Sequence, residues 1–224
     1  MTFSNEWNEI YNKNEQMSSW PWSDLISLVH RHCARLISNN GNVLELGCGA
    51  GANIPYFKAL SVNYYGLDGS KEIINHLKNQ HPELEAQLEC ADFTSSQPFE
   101  KKFDLIFDRA ALTHNNNKSI KQALALAGNS LKDQGIYIGI DYFSVRHSDY
   151  KNGISVDDEY TRTGYTSGQF KGCGKVHYFD KAHINNLFEK FEIIYLTEKI
   201  TREYVPENSH QFASWNLVAI KNEQ

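Results

Sequence analysis

A chain of 224 residues, 41% of them hydrophobic and 22% charged, carries enough apolar side chains for one substantial core. Its net charge of −5, with lysines scattered along the chain, offers no basic stripe that could neutralise successive phosphates, which argues against a nucleic-acid partner. No stretch of about eighteen apolar residues occurs and no basic-then-apolar leader is seen, so neither a membrane span nor a signal peptide is expected, and the cytoplasm is the expected location. Cys33, Cys48, Cys90 and Cys173 lie far apart with no CxxC pair. Buried thiols are expected from that spacing, with no disulfide framework and no metal site.

In chain order, the first 40 residues read as a helical arm. "WNEIYNKNEQMSSWPW" brings in Trp7, Tyr11, Trp20 and Trp22, and "SDLISLVHRHCARLI" from Ser23 has the apolar spacing of an amphipathic helix. "NVLEL" from Asn42, "VNYYGL" from Val62, "AQLEC" from Ala86, "FDLIF" from Phe103 and "GIYIGI" from Gly135 are strand-like by length and by β-branched or aromatic content. Between them, Ser70 is placed to cap "KEIINHLKNQ", whose Ile73, Ile74 and Leu77 share one side, and "SIKQALALAGNSL" from Ser119 repeats apolar residues at helical spacing. This alternation implies a doubly wound α/β sheet of parallel strands joined by right-handed crossovers. Residues 143–178 show neither helical nor strand periodicity; a structureless segment of that length suits either a lid over a ligand or an ordinary mobile surface excursion. "FEIIYLTEK" and "ASWNLVAIK" follow with no convincing helix between them, which predicts an antiparallel pair closing one edge of the sheet. A single domain over residues 1–224 is expected.

Glycine at Gly47, Gly49 and Gly51, directly after the first strand, removes the Cβ atoms that would block a ligand from the strand-to-helix turn, where doubly wound sheets bind nucleotides. Asp68 ends the second strand about twenty residues on, where a carboxylate can accept from both ribose hydroxyls. "CADF" ends the third strand and puts Asp92 and Phe93 where an adenine ring would lie. The fourth strand ends "FDRAALTHNN", bringing Asp108, Arg109, Thr113 and His114 to the edge an acceptor must approach. His114 is the best general-base candidate there, with capping of the next helix as the alternative role. Arg109 either orients an acidic substrate or pairs with Asp108, and the pairing is favoured.

The turn reads ExGxGxG from Glu45 to Gly51, not the dinucleotide GxGxxG. With Asp68 and "CADF" it resembles the class I S-adenosylmethionine (SAM)-dependent methyltransferases over about residues 40–142. The resemblance implies a Rossmann-like seven-stranded sheet, mostly parallel with a reversed C-terminal strand. It implies SAM as cofactor, held by Glu45, Gly47, Gly49, Gly51, Asp68, Gly69, Asp92, Phe93, Asp108 and Arg109. "DRAAL" is similar to the segment in thiopurine and tellurite-type methyltransferases, while the following "THNN" departs from it. The expected activity is methyl transfer to a small polar acceptor, a sugar or other metabolite or a soft sulfur, selenium or tellurium nucleophile. His114 and Asp108 would do the chemistry, and Trp20, Tyr142, Arg146, His147 and His177 would face the substrate. Monomer and homodimer both remain open. A non-catalytic SAM-binding module is the alternative; an NAD-dependent oxidoreductase is disfavoured by the glycine spacing.

Overall fold

Seven strands form one sheet in the computed structural model, which describes residues 6–12, 17–34, 36 and 39–222. They are β1 (Asn42–Leu46), β2 (Asn63–Asp68), β3 (Leu88–Cys90), β4 (Phe103–Arg109), β5 (Leu131–Phe143), β9 (Phe191–Tyr204) and β10 (Glu207–Lys221), in the order β3-β2-β1-β4-β5-β10-β9. Pairing is parallel from β3 to β5 and antiparallel on both sides of β10, so β10 alone is reversed. The chain winds outward from β1 in one direction and from β4 in the other, which opens a crevice at their carboxyl ends.

Helices α1 (Glu6–Asn12), α2 (Ser23–His32), α3 (Ile54–Ala59), α4 (Lys71–Gln80), α5 (Asn117–Ser130) and α6 (Lys181–Leu187) accompany the sheet. One core layer packs Leu25 and Val29 of α2, Phe57 of α3 and Leu77 of α4 against Val43, Leu105 and Ile138. The other packs Ile120 and Leu124 of α5 and Ile184 of α6 against Leu44, Ile106 and Tyr137. Successive strand residues thus enter opposite cores, which is why the central strands are nearly continuously apolar. Helix starts follow local capping chemistry: Ser70 Oγ, Asn116 Oδ1 and Asp180 Oδ1 accept from the amides of Ile73, Ser119 and His183 at 3.4, 3.0 and 2.7 Å.

Three features differ from the sequence expectations. Residues 143–178 are not structureless: β6 (Ile154–Val156), β7 (Asp158–Thr163) and β8 (Val176–His177) form a small antiparallel sheet. These strands are too short for a period to register, and polar contacts hold them; Asp158, for example, accepts from the Asn117 amide at the start of α5 at 2.9 Å. The β9–β10 hairpin extends well beyond the two apolar runs, because its outer residues are exposed and polar. Cys90 is exposed at the end of the edge strand β3, whereas Cys33, Cys48 and Cys173 are buried.

A bulge in β5 has the largest consequence. Gly139 pairs with Leu217 and Tyr142 with Trp215, so Ile140 and Asp141 together face the single residue Asn216. Asp141 takes φ of +57°, a left-handed conformation that Asp tolerates, and its amide donates to Asn216 Oδ1 at 3.0 Å. The extra residue shifts the alternation by one, placing Tyr142 in the same core as Tyr137. There both phenols donate to Asp108 Oδ2, at 2.5 Å from Tyr142 and 2.8 Å from Tyr137, while Asp108 Oδ1 accepts from the amides of Ala111 and Leu112 at 2.9 and 3.0 Å. Tyr142→Phe is expected to cost about 1–3 kcal/mol of stability in urea unfolding through the weakened Asp108 cage, with acceptor KM unchanged; a KM change at unaltered stability would return Tyr142 to the substrate site.

Candidate active site

At the carboxyl ends of the parallel strands lies a cavity of about 390 Å³, roofed by α1 and by residues 169–173. Gly47 and Gly49 line its floor with φ of +71° and +48°. A Cβ on Gly49 would point into this space, 3.1 Å from the Tyr11 hydroxyl. Gly51 plays a different part and does not line the cavity: a Cβ there would stand 2.7 Å from Leu77 Cδ2, so this glycine lets the loop lie against α4.

Three carboxylates gather where β1, β2 and β3 end. Glu45 is 3% exposed, accepts from Asn53 Nδ2 at 2.7 Å and from the Tyr64 hydroxyl at 2.5 Å, and is pushed up to about 8 by burial. Asp68 accepts from the amides of Gly49 and Ser70 at 3.0 and 2.9 Å, and burial raises it to about 6. Asp92 Oδ1 accepts from the amide and hydroxyl of Thr94 at 3.0 and 2.6 Å, next to Phe93. Farther along the sheet, Arg109 pairs with Asp141 at 2.9 Å and lies over the Trp22 ring, 3.6 Å from its centroid. Beyond these come Phe143 on β5, Phe212 on β10, Gln169, Phe170 and Cys173 from the roof, and His114 after β4. The His114 ring stands 4.7 Å edge-on from Trp7, and its Nδ1 lies 3.2 Å from the Lys175 carbonyl. A carbonyl only accepts, so Nδ1 carries the proton and the lone pair is on Nε2; burial lowers the ring to about 4, which keeps it neutral at physiological pH.

The family described as "Methyltransferase domain" matches residues 43–135. Residues 43–135 thus match a methyltransferase domain, and the sheet they build has the fold of SAM-dependent methyltransferases. Solved structures carry the same fold. A SAM-dependent methyltransferase from Methanosarcina mazei is 17% identical over 82% of this chain and 93% of the other, with a TM-score of 0.65. One from Clostridium acetobutylicum is 18% identical over 98% and 99%, at 0.62. Magnesium protoporphyrin IX methyltransferase from Synechocystis, with SAM bound, is 16% identical over 89% and 78%, at 0.55. No protein of curated function matches.

SAM is the cofactor of the structures that share this fold, and buried atoms of the cavity fit it. Among the described residues that line the cavity, Asn53 Oδ1 is a buried acceptor and Arg109 Nε a buried donor, both without a partner. An aminoacyl end bearing both an ammonium and a carboxylate satisfies that pair, and Glu45 beside Asn53 adds the negative charge a cationic ligand favours.

Of the residues expected at the site, Glu45, Gly47, Gly49, Asp68, Gly69, Asp92, Phe93, Arg109 and His114 line one cavity. Asp108 is fully buried outside that lining, with four donors on its carboxylate, and Arg109 pairs with Asp141 instead of Asp108. Adjacent strand residues point to opposite faces, so a pairing between neighbours 108 and 109 was geometrically unfavourable from the start. Trp20 is 76% exposed; Arg146 pairs with Glu198 at 2.9 Å; Tyr142, His147 and His177 are buried elsewhere. Sequence reasoning missed Asn53, Asp141, Phe143, Phe170 and Phe212. Asn53, in the glycine-rich turn, was within reach of a local reading; the others are brought in by the bulge, the roof and the hairpin.

Two measurements check this geometry. Asp68→Ala removes charge-assisted hydrogen bonds worth about 1.5–3 kcal/mol, so SAM binding by calorimetry should weaken about 10- to 100-fold; unchanged affinity would place the cofactor elsewhere. Below pH 8 the cofactor-free site holds a proton on Glu45, and a cationic ligand beside it favours the carboxylate. SAM affinity should therefore rise with pH and level off above about 8. Calorimetry at pH 7 in buffers of different ionisation enthalpy should show proton release that Glu45→Gln abolishes.

Proposed function

We propose that this enzyme moves the methyl group of SAM to a small uncharged acceptor with an apolar, ring-like body, releasing S-adenosylhomocysteine. The observation that carries this reading is the charge gradient along the cavity. Carboxylates cluster at the ends of β1, β2 and β3, whereas the end near β5 and β10 presents Phe143, Phe170 and Phe212 with the neutral groups Asn115, Gln169 and His114. Among the described lining residues Arg109 is the one Arg, and it is taken up by Asp141 and the cofactor's carboxylate, so a carboxylated or phosphorylated acceptor would enter without a counter-charge. Ring stacking on apolar walls with a few polar groups for orientation is how such cavities bind neutral molecules.

Bound SAM supplies an electrophilic methyl carbon on a sulfonium with a good leaving group. The chain's contribution is placement: Glu45, Asn53, Asp68, Asp92 and Arg109 would fix the donor, and the aromatic end would fix the acceptor in line with it. Trp7 and Tyr11 from α1, with Gln169 and Phe170 from the opposite side, cover the cavity and limit water. His114 is a weak base at about 4, so its Nε2 lone pair suits a hydrogen bond that orients an acceptor O–H or N–H better than full proton removal at neutral pH.

Methyl transfer from SAM to uncharged phenols, thiols and heteroaromatic amines, followed by S-adenosylhomocysteine release, tests the acceptor class. Turnover of uncharged compounds is expected to exceed that of their carboxylated analogues, and the reverse order would overturn the reading. His114→Gln should raise the acceptor KM by about 5- to 10-fold, the size of one hydrogen bond, and leave the pH profile of kcat unchanged between pH 6 and 9. A limb in that range which vanishes in the variant would make His114 a titrating base instead.

A further inference from the structure

Behind the aromatic end of the cavity, His147, Asp149 and His210 bring one ligand atom each to within 4.8 Å of one another. We propose that this trio is a binding site for one first-row divalent cation of the zinc type, which clamps the turn after β5 to the C-terminal hairpin.

The donor set is chemically apt, since two imidazoles and one carboxylate suit zinc and its neighbours. Spacing agrees as well. His210 Nε2 lies 3.3 Å from Asp149 Oδ2 and His147 Nδ1 lies 3.9 Å from the same oxygen. Two ligands at tetrahedral bond lengths stand about 3.3 Å apart, so the first separation is already that of a metal site and the second closes with a shift of about half an ångström. Protonation is preset. The Asp149 amide donates to His147 Nδ1 at 3.1 Å, which puts the ring proton on Nε2 and the lone pair on Nδ1, the nitrogen nearer the carboxylate. An ion would take that lone pair in place of the amide, an exchange that accompanies the small inward shift of the donors. The carboxylate is oriented by a supporting partner, since Asn152 Nδ2 donates to Asp149 Oδ1 at 3.0 Å and leaves Oδ2 toward the histidines.

A second observation makes His147 hard to explain as ordinary packing. The residue is 2% exposed among Phe143, Phe170 and Phe212, and its Nε2 has no hydrogen-bond partner among the described residues. A polar ring at the centre of an aromatic cluster is costly unless a stronger interaction holds it there. Coordination by Nδ1 would hold the ring there, with its Nε2–H packed among the aromatic rings. Because Phe143, Phe170 and Phe212 also line the cavity, the ion would brace the acceptor wall from behind without touching the acceptor.

The test uses the full chain stripped of metal by chelator dialysis and titrated with Zn²⁺ in a calorimeter and with Co²⁺ in a spectrophotometer. One equivalent of Zn²⁺ should bind, Co²⁺ should give the visible bands of a low-coordinate site, and Zn²⁺ should raise the melting temperature. His210→Gln, at a partly exposed position, and Asp149→Asn should each weaken Zn²⁺ binding by at least the 10- to 100-fold that loss of a supporting partner costs. His210→Gln should still bind SAM as the wild type does, which shows that it folds. Absence of stoichiometric uptake by the wild type, or uptake unchanged in both variants, would overturn the site.

Discussion

Glu45, Asp68 and Asp108 end three neighbouring parallel strands, and each holds its carboxylate where water scarcely reaches. A carboxylate in that position is tolerated only when donors surround it. Here many of the donors are backbone amides of adjoining loops: Gly49, from the loop after β1, and Ser70 for Asp68, and Ala111 and Leu112 for Asp108. Satisfying these groups therefore ties the loop after β4 back onto its own strand end and the loops after β1 and β2 onto the end of β2. Ala110 shows the strength of the tie. It keeps φ of +55°, a strained conformation for a residue with a Cβ, between a strand and two amides committed to Asp108. The floor and one wall of the cavity are consequences of these anchors.

The same reasoning explains which parts of the site were legible in the sequence. Glu45, Asp68 and Asp92 lie at or just past strand ends, and the glycines sit in the adjoining turn, so a reading that finds the strands also finds these cavity-lining residues. The aromatic end is assembled differently. Phe143, Phe170 and Phe212 come from a strand, the roof and the hairpin, and no local pattern relates them. The bulge at Asp141 is the sharpest case, because one extra residue turned Asp141 into the cavity and Tyr142 into the core. Simple alternation assigns those two side chains the other way round. The central strands and the antiparallel C-terminal pair were readable because apolar runs of sufficient length carried them. The small sheet over residues 154–177 was not, since side-chain and capping contacts of single polar residues replace an apolar face.

Residues 143–178 also act on chemistry at a distance. The Lys175 carbonyl fixes the His114 tautomer, and Lys175 Nζ is itself tied to Asp157, which accepts from Asn116 just before α5. The imidazole that faces the acceptor end thus owes its lone pair to a segment 61 residues away. Burial then keeps it uncharged, so the acceptor end gains an orienting group without gaining charge. The charge gradient along the cavity is preserved by this arrangement, with cations favoured near β1 and β2 and neutral rings near β5 and β10.

At the aromatic end the packing of the rings sets the shape of the cavity. The Phe143 ring meets Phe170 edge-on at 4.7 Å and Phe212 at 6.2 Å, and His147 lies 5.3 and 5.2 Å from the latter two. Rings interlocked in this way move together, because displacing one opens a void against the others. Two of the three belong to the main sheet and Phe170 belongs to the roof, so the width offered to an acceptor is set by how firmly the roof is held to the hairpin. His147, Asp149 and His210 occupy the junction where that hold is made: the first two end the turn after β5, and the third lies on β10 two residues before Phe212. A change in their mutual distance changes the cavity through packing alone, with no charge carried to the acceptor.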